Sequence, residues 1–133
     1  MNAAAKKKIV LVVDDARNAR ELLKTILEGA GYHVQSRGDG LSAIKALYST
    51  PFDLVIMDIN LPDQDGIETT QVIRNNPHTK HIPVLMVTAL GDKRSVLRSI
   101  QAGANDYLVK PFNVDTLLEK IRKLMAAGPA TQD

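Results

Sequence analysis

Apolar positions along this chain follow two rhythms that take turns from one end to the other. Ile9 to Val13 is an unbroken apolar run, the pattern of a strand buried on both faces. Ala19, Leu22, Leu23, Ile26, Leu27 and Ala30 then recur at helical spacing, with Gly29 and Gly31 at the end. This predicts a helix with one apolar stripe and a glycine stop. His33 to Arg37 predicts a shorter, more polar strand suited to a sheet edge. Leu41, Ile44, Leu47 and Tyr48 make a second helical stripe, closed by Ser49, Thr50 and Pro51. Leu54 to Met57 is a third strand of the buried kind. Asp58 to Asp65 is a loop carrying the turn formers Asn60, Pro62, Asp63 and Asp65. A helix follows over about Gly66 to Asn75, with Pro77 beyond it. Pro83 to Val87 predicts a fourth strand. Asp92 to Ala102 predicts a helix with a thin stripe of Val96, Leu97 and Ile100. Tyr107 to Val109 predicts a fifth strand. Asn113 is placed as the N-cap of the last helix. That helix is striped by Val114, Leu117, Leu118, Ile121, Leu124 and Met125, and closed by Gly128 and Pro129.

Five strand–helix units in alternation predict an α/β fold, (βα)5: a doubly wound parallel five-stranded sheet with helices on both faces. Right-handed crossovers cover both faces only where the winding reverses, and ligands bind beyond the carboxyl ends of the strands near that reversal. The 133 residues suit one domain. Its limits are placed at 8–126, with 1–7 an N-terminal tail and 127–133 a C-terminal tail or linker start.

Composition removes several classes of function. Cys is absent, which excludes disulfides, thiol catalysis and Cys-ligated zinc. No segment approaches the roughly 18–20 apolar residues of a membrane span. No signal-peptide or myristoylation pattern precedes Ile9, so a cytoplasmic location without membrane contact is expected. Net charge is +2, the one basic run is Lys6-Lys7-Lys8, and Trp is absent. With neither a broad basic stripe nor an aromatic platform, direct nucleic-acid binding by this domain is not expected.

The chemistry lies at the carboxyl ends of the buried strands. The first ends in Asp14 and Asp15, the third in Asp58, the fourth in Thr88, and the fifth in Lys110 with Pro111 next to it. Taken singly, each has an ordinary reading: Asp15 as a helix cap, Asp58 as a turn opener, Thr88 as a β-branched strand residue, Lys110 as a solvated cation. In a parallel sheet, however, all of them stand at one edge. Three carboxylates in one crevice repel each other, and a divalent cation removes that conflict. Hard oxygen donors without Cys favour Mg²⁺ or Mn²⁺ over zinc. Lys110 and Thr88 supply a point charge and a hydroxyl for a phosphate. The set predicts phosphoryl transfer by positioning and charge neutralisation, with a carboxylate as the nucleophile.

At these residues the sequence resembles the receiver domain of two-component response regulators. The resemblance spans about Lys8 to Met125. It is carried by Val-Val-Asp-Asp at 12–15, Asp-Ile-Asn-Leu-Pro at 58–62, Asp-Gly at 65–66, Val-Thr-Ala at 87–89, Gly-Ala-Asn-Asp-Tyr at 103–107 and Lys-Pro-Phe at 110–112. It implies a flavodoxin-like strand order, 2-1-3-4-5. It also implies that Asp58 takes a phosphoryl group from the phosphohistidine of a sensor histidine kinase or histidine phosphotransfer protein. Asp15 and Asp58 would ligate the metal with the backbone carbonyl of Asn60, and Asp14 would act through metal-bound water. Thr88, the amide of Ala89, and Lys110 would hold phosphoryl oxygens, and Lys110–Pro111 is expected to be cis. The resemblance makes Thr88 and Tyr107 a switch that moves the face of the fourth helix, fifth strand and fifth helix, read by a downstream effector or a fused output domain. The thin stripe of the fourth helix agrees with a weakly anchored, movable element. Leu90 cannot orient an attacking water, so slow self-dephosphorylation is expected.

Other features carry less. His78 and His81 lie in a proline-containing loop without an acidic neighbour, and read as surface residues. Asp63 to Gly66 lacks the distal Glu of a calcium loop, so Asp65 is read as a helix cap. A phosphatase of the haloacid dehalogenase type needs a second Asp two residues after the nucleophile, where this chain has Asn60. An FMN carrier needs a phosphate-cradling loop after the first strand, where this chain has Asp14-Asp15-Ala16-Arg17. The reading is therefore a signalling acceptor rather than an enzyme, and a stand-alone protein ahead of one part of a larger regulator.

Overall fold

The computed structural model describes residues 6–127. Residues 1–5 and 128–133 of the expected tails, with the stop at Gly128 and Pro129, lie outside the described residues. Strands β1 (Ile9–Val13), β2 (His33–Arg37), β3 (Leu54–Met57), β4 (Val84–Thr88) and β5 (Asp106–Val109) alternate with helices α1 (Arg17–Gly29), α2 (Gly40–Ser49), α3 (Gly66–Asn75), α4 (Lys93–Ala102) and α5 (Val114–Ala126). All strand pairs are parallel, in the order β2-β1-β3-β4-β5. The fourth and fifth strands include Thr88 and Asp106, one residue beyond their predicted limits.

Strand alternation divides the core in two. Leu11, Val13, Val55, Met57, Val84 and Met86 face one side with Ala43, Ala46, Leu47 and Ile73. Val10, Val12, Leu54, Ile56, Leu85 and Val87 face the other with Leu23, Leu27, Leu117 and Ile121. The three central strands are thus apolar at every core position because each side of the sheet has its own helical layer. β2 is only half-buried apart from its exposed first residue, as an edge strand should be.

Two helices bury only part of the apolar stripe predicted for them. In α2 the buried side chains are Ala43, Ala46 and Leu47, while Leu41 and Tyr48 are exposed. In α4 the buried residues are Ser99 and Ala102, while Leu97 is 54% and Ile100 47% exposed. Small residues let a helix axis come close to its neighbours, and that close packing overrides the stripe. In α1, Leu22 is likewise exposed and burial narrows to Leu23 and Leu27. α3 buries more than its apolar residues promise, because Thr69 and Thr70 are fully buried. Their hydroxyls donate back to the carbonyls of Asp65 and Gly66, one turn earlier, so no polar atom is stranded.

The caps fall where side-chain chemistry puts them. Asp65 and Glu68 form a capping box on α3, and Asn113 accepts from the amide of Thr116 on α5. Asp92 caps α4 and Asp39 caps α2. His78 stacks its ring on Tyr48.

Candidate functional site at the carboxyl edge of the sheet

The sheet's backbone ladder runs one residue past the ends of three strands and fixes the chemistry there. Asp14 donates its amide to the carbonyl of Arg37 at 3.1 Å, Asp58 to Val13 at 2.9 Å, and Lys110 to Thr88 at 2.8 Å. Each functional residue is therefore tied to the last residue of a neighbouring strand. The Lys110–Pro111 peptide bond is cis.

These constraints bring Asp14, Asp58 and Lys110 together. Lys110 Nζ donates to Asp14 Oδ2 at 2.6 Å and to Asp58 Oδ2 at 3.0 Å. Asp14 is 2% exposed and Asp58 7%. Burial pushes the Asp14 carboxyl above its ordinary value, against the pull of Lys110 and of the Ala16 amide. Burial also works against the Lys110 ammonium, but hydrogen bonds to Asp14 and Asp58 outweigh it and hold the lysine above its ordinary value. Asp58 Oδ1 accepts from the amide of Asn60 at 3.3 Å, and Asp14 Oδ1 from the amide of Ala16 at 2.9 Å.

Asp15 does not join this cluster. It is exposed, and among the described residues no three His, Cys, Asp or Glu side chains already stand together as a metal cage. The expected crevice of three carboxylates is thus two buried carboxylates sharing one ammonium, with Asp15 beside them in solvent. The reason is local: Asp14 and Asp15 are neighbours at a strand end, so when one points into the sheet edge the other points away. The donors nonetheless fit a hard divalent ion in kind. They are oxygens throughout, and a carboxyl that resists ionising beside a second carboxylate is one that added positive charge would stabilise.

Thr88 is fully buried at the end of β4, and its hydroxyl accepts from the amide of Leu90 at 3.4 Å. Ala89 is exposed beside it. Tyr107 is half-buried and donates its phenolic hydroxyl to the carbonyl of Leu90. Burial raises the phenol above its ordinary value, with the charges of Asp92 and Asp58 adding to it. β5 thereby holds the loop that carries Ala89 and Leu90 after β4.

Two residues at this edge have no separate role assigned by the sequence. Gly66 is buried against Asp58: a Cβ there would meet the carbonyl oxygen of Asp58 at 2.0 Å. The Asp-Gly pair heading a predicted helix is the signal that could have found it. Arg20 donates Nη1 to the carbonyl of Asp14 at 2.8 Å. A lone Arg in an amphipathic helix reads as solvated, so nothing marked it.

Known proteins resemble this chain in sequence and fold. A family model for the response regulator receiver domain matches residues 10–122. The chain is 40% identical over 116 residues to the chemotaxis protein CheY-3 of Vibrio cholerae serotype O1, covering 86% of this chain and 89% of that protein. It is 38% identical over 116 residues to the DNA-binding dual master transcriptional regulator RpaA of Synechocystis sp., covering 87% of this chain but 48% of that protein. Among solved structures, the response regulator protein TrrA from Thermotoga maritima, in complex with Mg(2+)-BeF, matches with a TM-score of 0.80 at 43% identity. That match covers 88% of this chain and 98% of TrrA.

Proposed function

This chain belongs to the response regulator receiver domain family, and on that premise we propose that Asp58 is its phosphoryl acceptor. The observation that carries the reading is Lys110 held between two buried carboxylates at adjoining strand ends. An Asp58 oxygen attacks the phosphorus of a phosphohistidine on a sensor kinase or phosphotransfer protein. The P–N bond breaks, and the imidazole leaves as a neutral base once protonated. Lys110 sits 3.0 Å from the acceptor oxygen, close enough to follow the charge onto the incoming phosphoryl group. Thr88 gives its hydroxyl and Ala89 its amide to the remaining phosphoryl oxygens.

Asp15, Asp58 and the carbonyl of Asn60 would hold Mg²⁺ or Mn²⁺, with Asp14 acting through bound water. Such an ion, when bound, neutralises the acidic cluster and the phosphoryl oxygens together. That TrrA is in complex with Mg(2+)-BeF supports this assignment. The domain is assigned to residues 8–126. It acts in the cytoplasm as a signalling acceptor that promotes its own phosphorylation and dephosphorylation, without turnover of free phosphomonoesters and without direct contact to nucleic acid. Among the described residues no helix is long and apolar enough to cross a membrane.

The output is read on α4, β5 and α5. Leu97, Ile100, Val109 and Val114 are exposed on or beside these elements, an apolar surface suited to an effector protein or a fused output domain. Thr88 and Tyr107 couple the two sites: new charge on Asp58 draws the Thr88 hydroxyl, and Tyr107 releases Leu90 and turns inward. Incubation with acetyl phosphate and Mg²⁺ tests the acceptor. Intact-mass measurement should show the gain of one phosphoryl group, absent in Asp58→Asn. Unchanged labelling of that variant would refute the assignment.

A further inference from the structure

The acidic corner after β1 is held by a device outside the acceptor site itself. Helix α1 starts without a side-chain cap: its N-cap is Ala16, which contributes none. Alanine is among the poorer residues there, since the first amides of a helix need a side-chain acceptor. In its place, two side chains close the turn. Asp14 Oδ1 accepts from the Ala16 amide at 2.9 Å, and Arg20, one turn into the helix, reaches back to the carbonyl of Asp14 at 2.8 Å. The Arg20 amide also donates to the Ala16 carbonyl at 3.1 Å. With its own amide on Arg37 and Oδ2 on Lys110, Asp14 has every polar atom engaged.

Gly38 explains how the guanidinium fits. A Cβ there would stand 3.2 Å from Arg20 Nη1 and 4.0 Å from the Asp14 carbonyl oxygen. The backbone of Gly38 is not left-handed, so conformation does not require glycine at this position. An added Cβ would crowd the end of the Arg20 side chain and make it shift by a few tenths of an ångström.

We infer that Arg20 is a positioning residue for the Asp14–Asp15 corner, and that the missing side chain at Gly38 leaves its guanidinium undisturbed. Asp15 hangs between two residues fixed by this clasp, so the clasp sets where its carboxylate can reach. The inference rests on the receiver reading of that corner as the metal-binding edge. It makes a directional demand. By charge alone, losing a cation near a cation site strengthens metal binding. By positioning, losing Arg20 weakens it.

Calorimetric titration with Mg²⁺ decides between the two. Arg20→Ala should weaken binding about ten-fold, the low end for residues that orient metal ligands. Arg20→Lys, which keeps a donor on a long stem, should recover part of the loss. Gly38→Ala should weaken binding in the same direction, and the Gly38→Ala/Arg20→Ala double variant should be no worse than the worse single one, because both disturb one contact. Lys24→Ala, a surface change on the same helix, should leave binding unaltered. Thermal melts identify any variant that is unfolded, and Arg20→Gln then replaces Arg20→Ala. Tighter or unchanged binding in Arg20→Ala or Arg20→Gln, or losses that simply add, would overturn the inference. Wild-type protein that binds no Mg²⁺ would instead overturn the reading of the site, and this inference with it.

Discussion

Lys110 stands closer to Asp14 than to Asp58: 2.6 Å against 3.0 Å. The ammonium is thus parked mainly on a carboxylate that is not the acceptor, and is free to shift toward Asp58 as charge builds there. On the proposed reading, a divalent ion would share the Asp58 carboxylate with Lys110. Lys110→Met should therefore tighten Mg²⁺ binding while slowing phosphoryl uptake, measured by titration and by intact mass. The same variant leaves two carboxylates, 3% and 9% exposed in their side chains, without their cation. With Lys110 24% exposed, the cost should be about 3 kcal/mol, the low end for breaking a buried pair. A cation raised above its unfolded value adds stability below that value, about 10.4, and loses it as pH climbs through the folded value. Wild-type stability should therefore fall in strongly alkaline urea melts, and Lys110→Met should lack that component. Asp14, raised by burial, has the same sign in the acid range: the folded state keeps its proton longer, so stability falls as pH rises through its titration.

Gly66 permits the acceptor its place. At 2.0 Å from a backbone oxygen, an added Cβ has no flexible neighbour to displace. Gly66→Ala should cost about 2–3 kcal/mol, as for overpacked cores. It should also reduce phosphoryl uptake by moving Asp58. Urea denaturation and intact mass measure the two effects, and a variant with wild-type midpoint would contradict the close approach.

The hydroxyl of Tyr107 and the carbonyl of Leu90 link β5 to the loop after β4. Tyr107→Phe should cost about 1 kcal/mol, the net worth of one hydrogen bond. Tyr107→Ala should uncouple output from phosphorylation: partner affinity that still responds fully in that variant would sink the switch.

Asp63 tethers the acceptor's loop to the start of α2, its carboxylate accepting from the amides of Gly40 and Leu41 at 2.9 Å each. The Gly40 amide, then that of Leu41, hold the carboxyl below its ordinary value. A depressed carboxyl contributes stability above its unfolded value, about 3.9, and loses it as pH falls through the folded value. Asp63→Asn should flatten that acid-side loss in melts between neutral and strongly acidic pH. An acid profile identical to wild type would count against the tether.

Leu90 offers no hydrogen-bonding side chain to an attacking water. Leu90→Glu should shorten the lifetime of the acyl phosphate, monitored as decay of the intact-mass signal after donor removal. An equal or longer lifetime would rule out that role.

The residue pattern by itself determined the fold class, the five units and the strand ends, because apolar period and punctuation are local properties. It also put Asp14, Asp15, Asp58, Thr88 and Lys110 at one edge, since parallel strands leave it no other choice. Tertiary packing decided the rest. Small residues turned α2 and α4 so that Leu41, Tyr48, Leu97 and Ile100 face outward, which no stripe could foretell. Buried Thr69 and Thr70 became core only because their own helix accepts their hydroxyls. Of the three carboxylates, the pleat at the end of β1 admitted Asp14 to Lys110 and left Asp15 in solvent. The roles of Arg20, Gly38 and Gly66 depend on distances between segments remote in the chain, and such distances exist only once the sheet has formed.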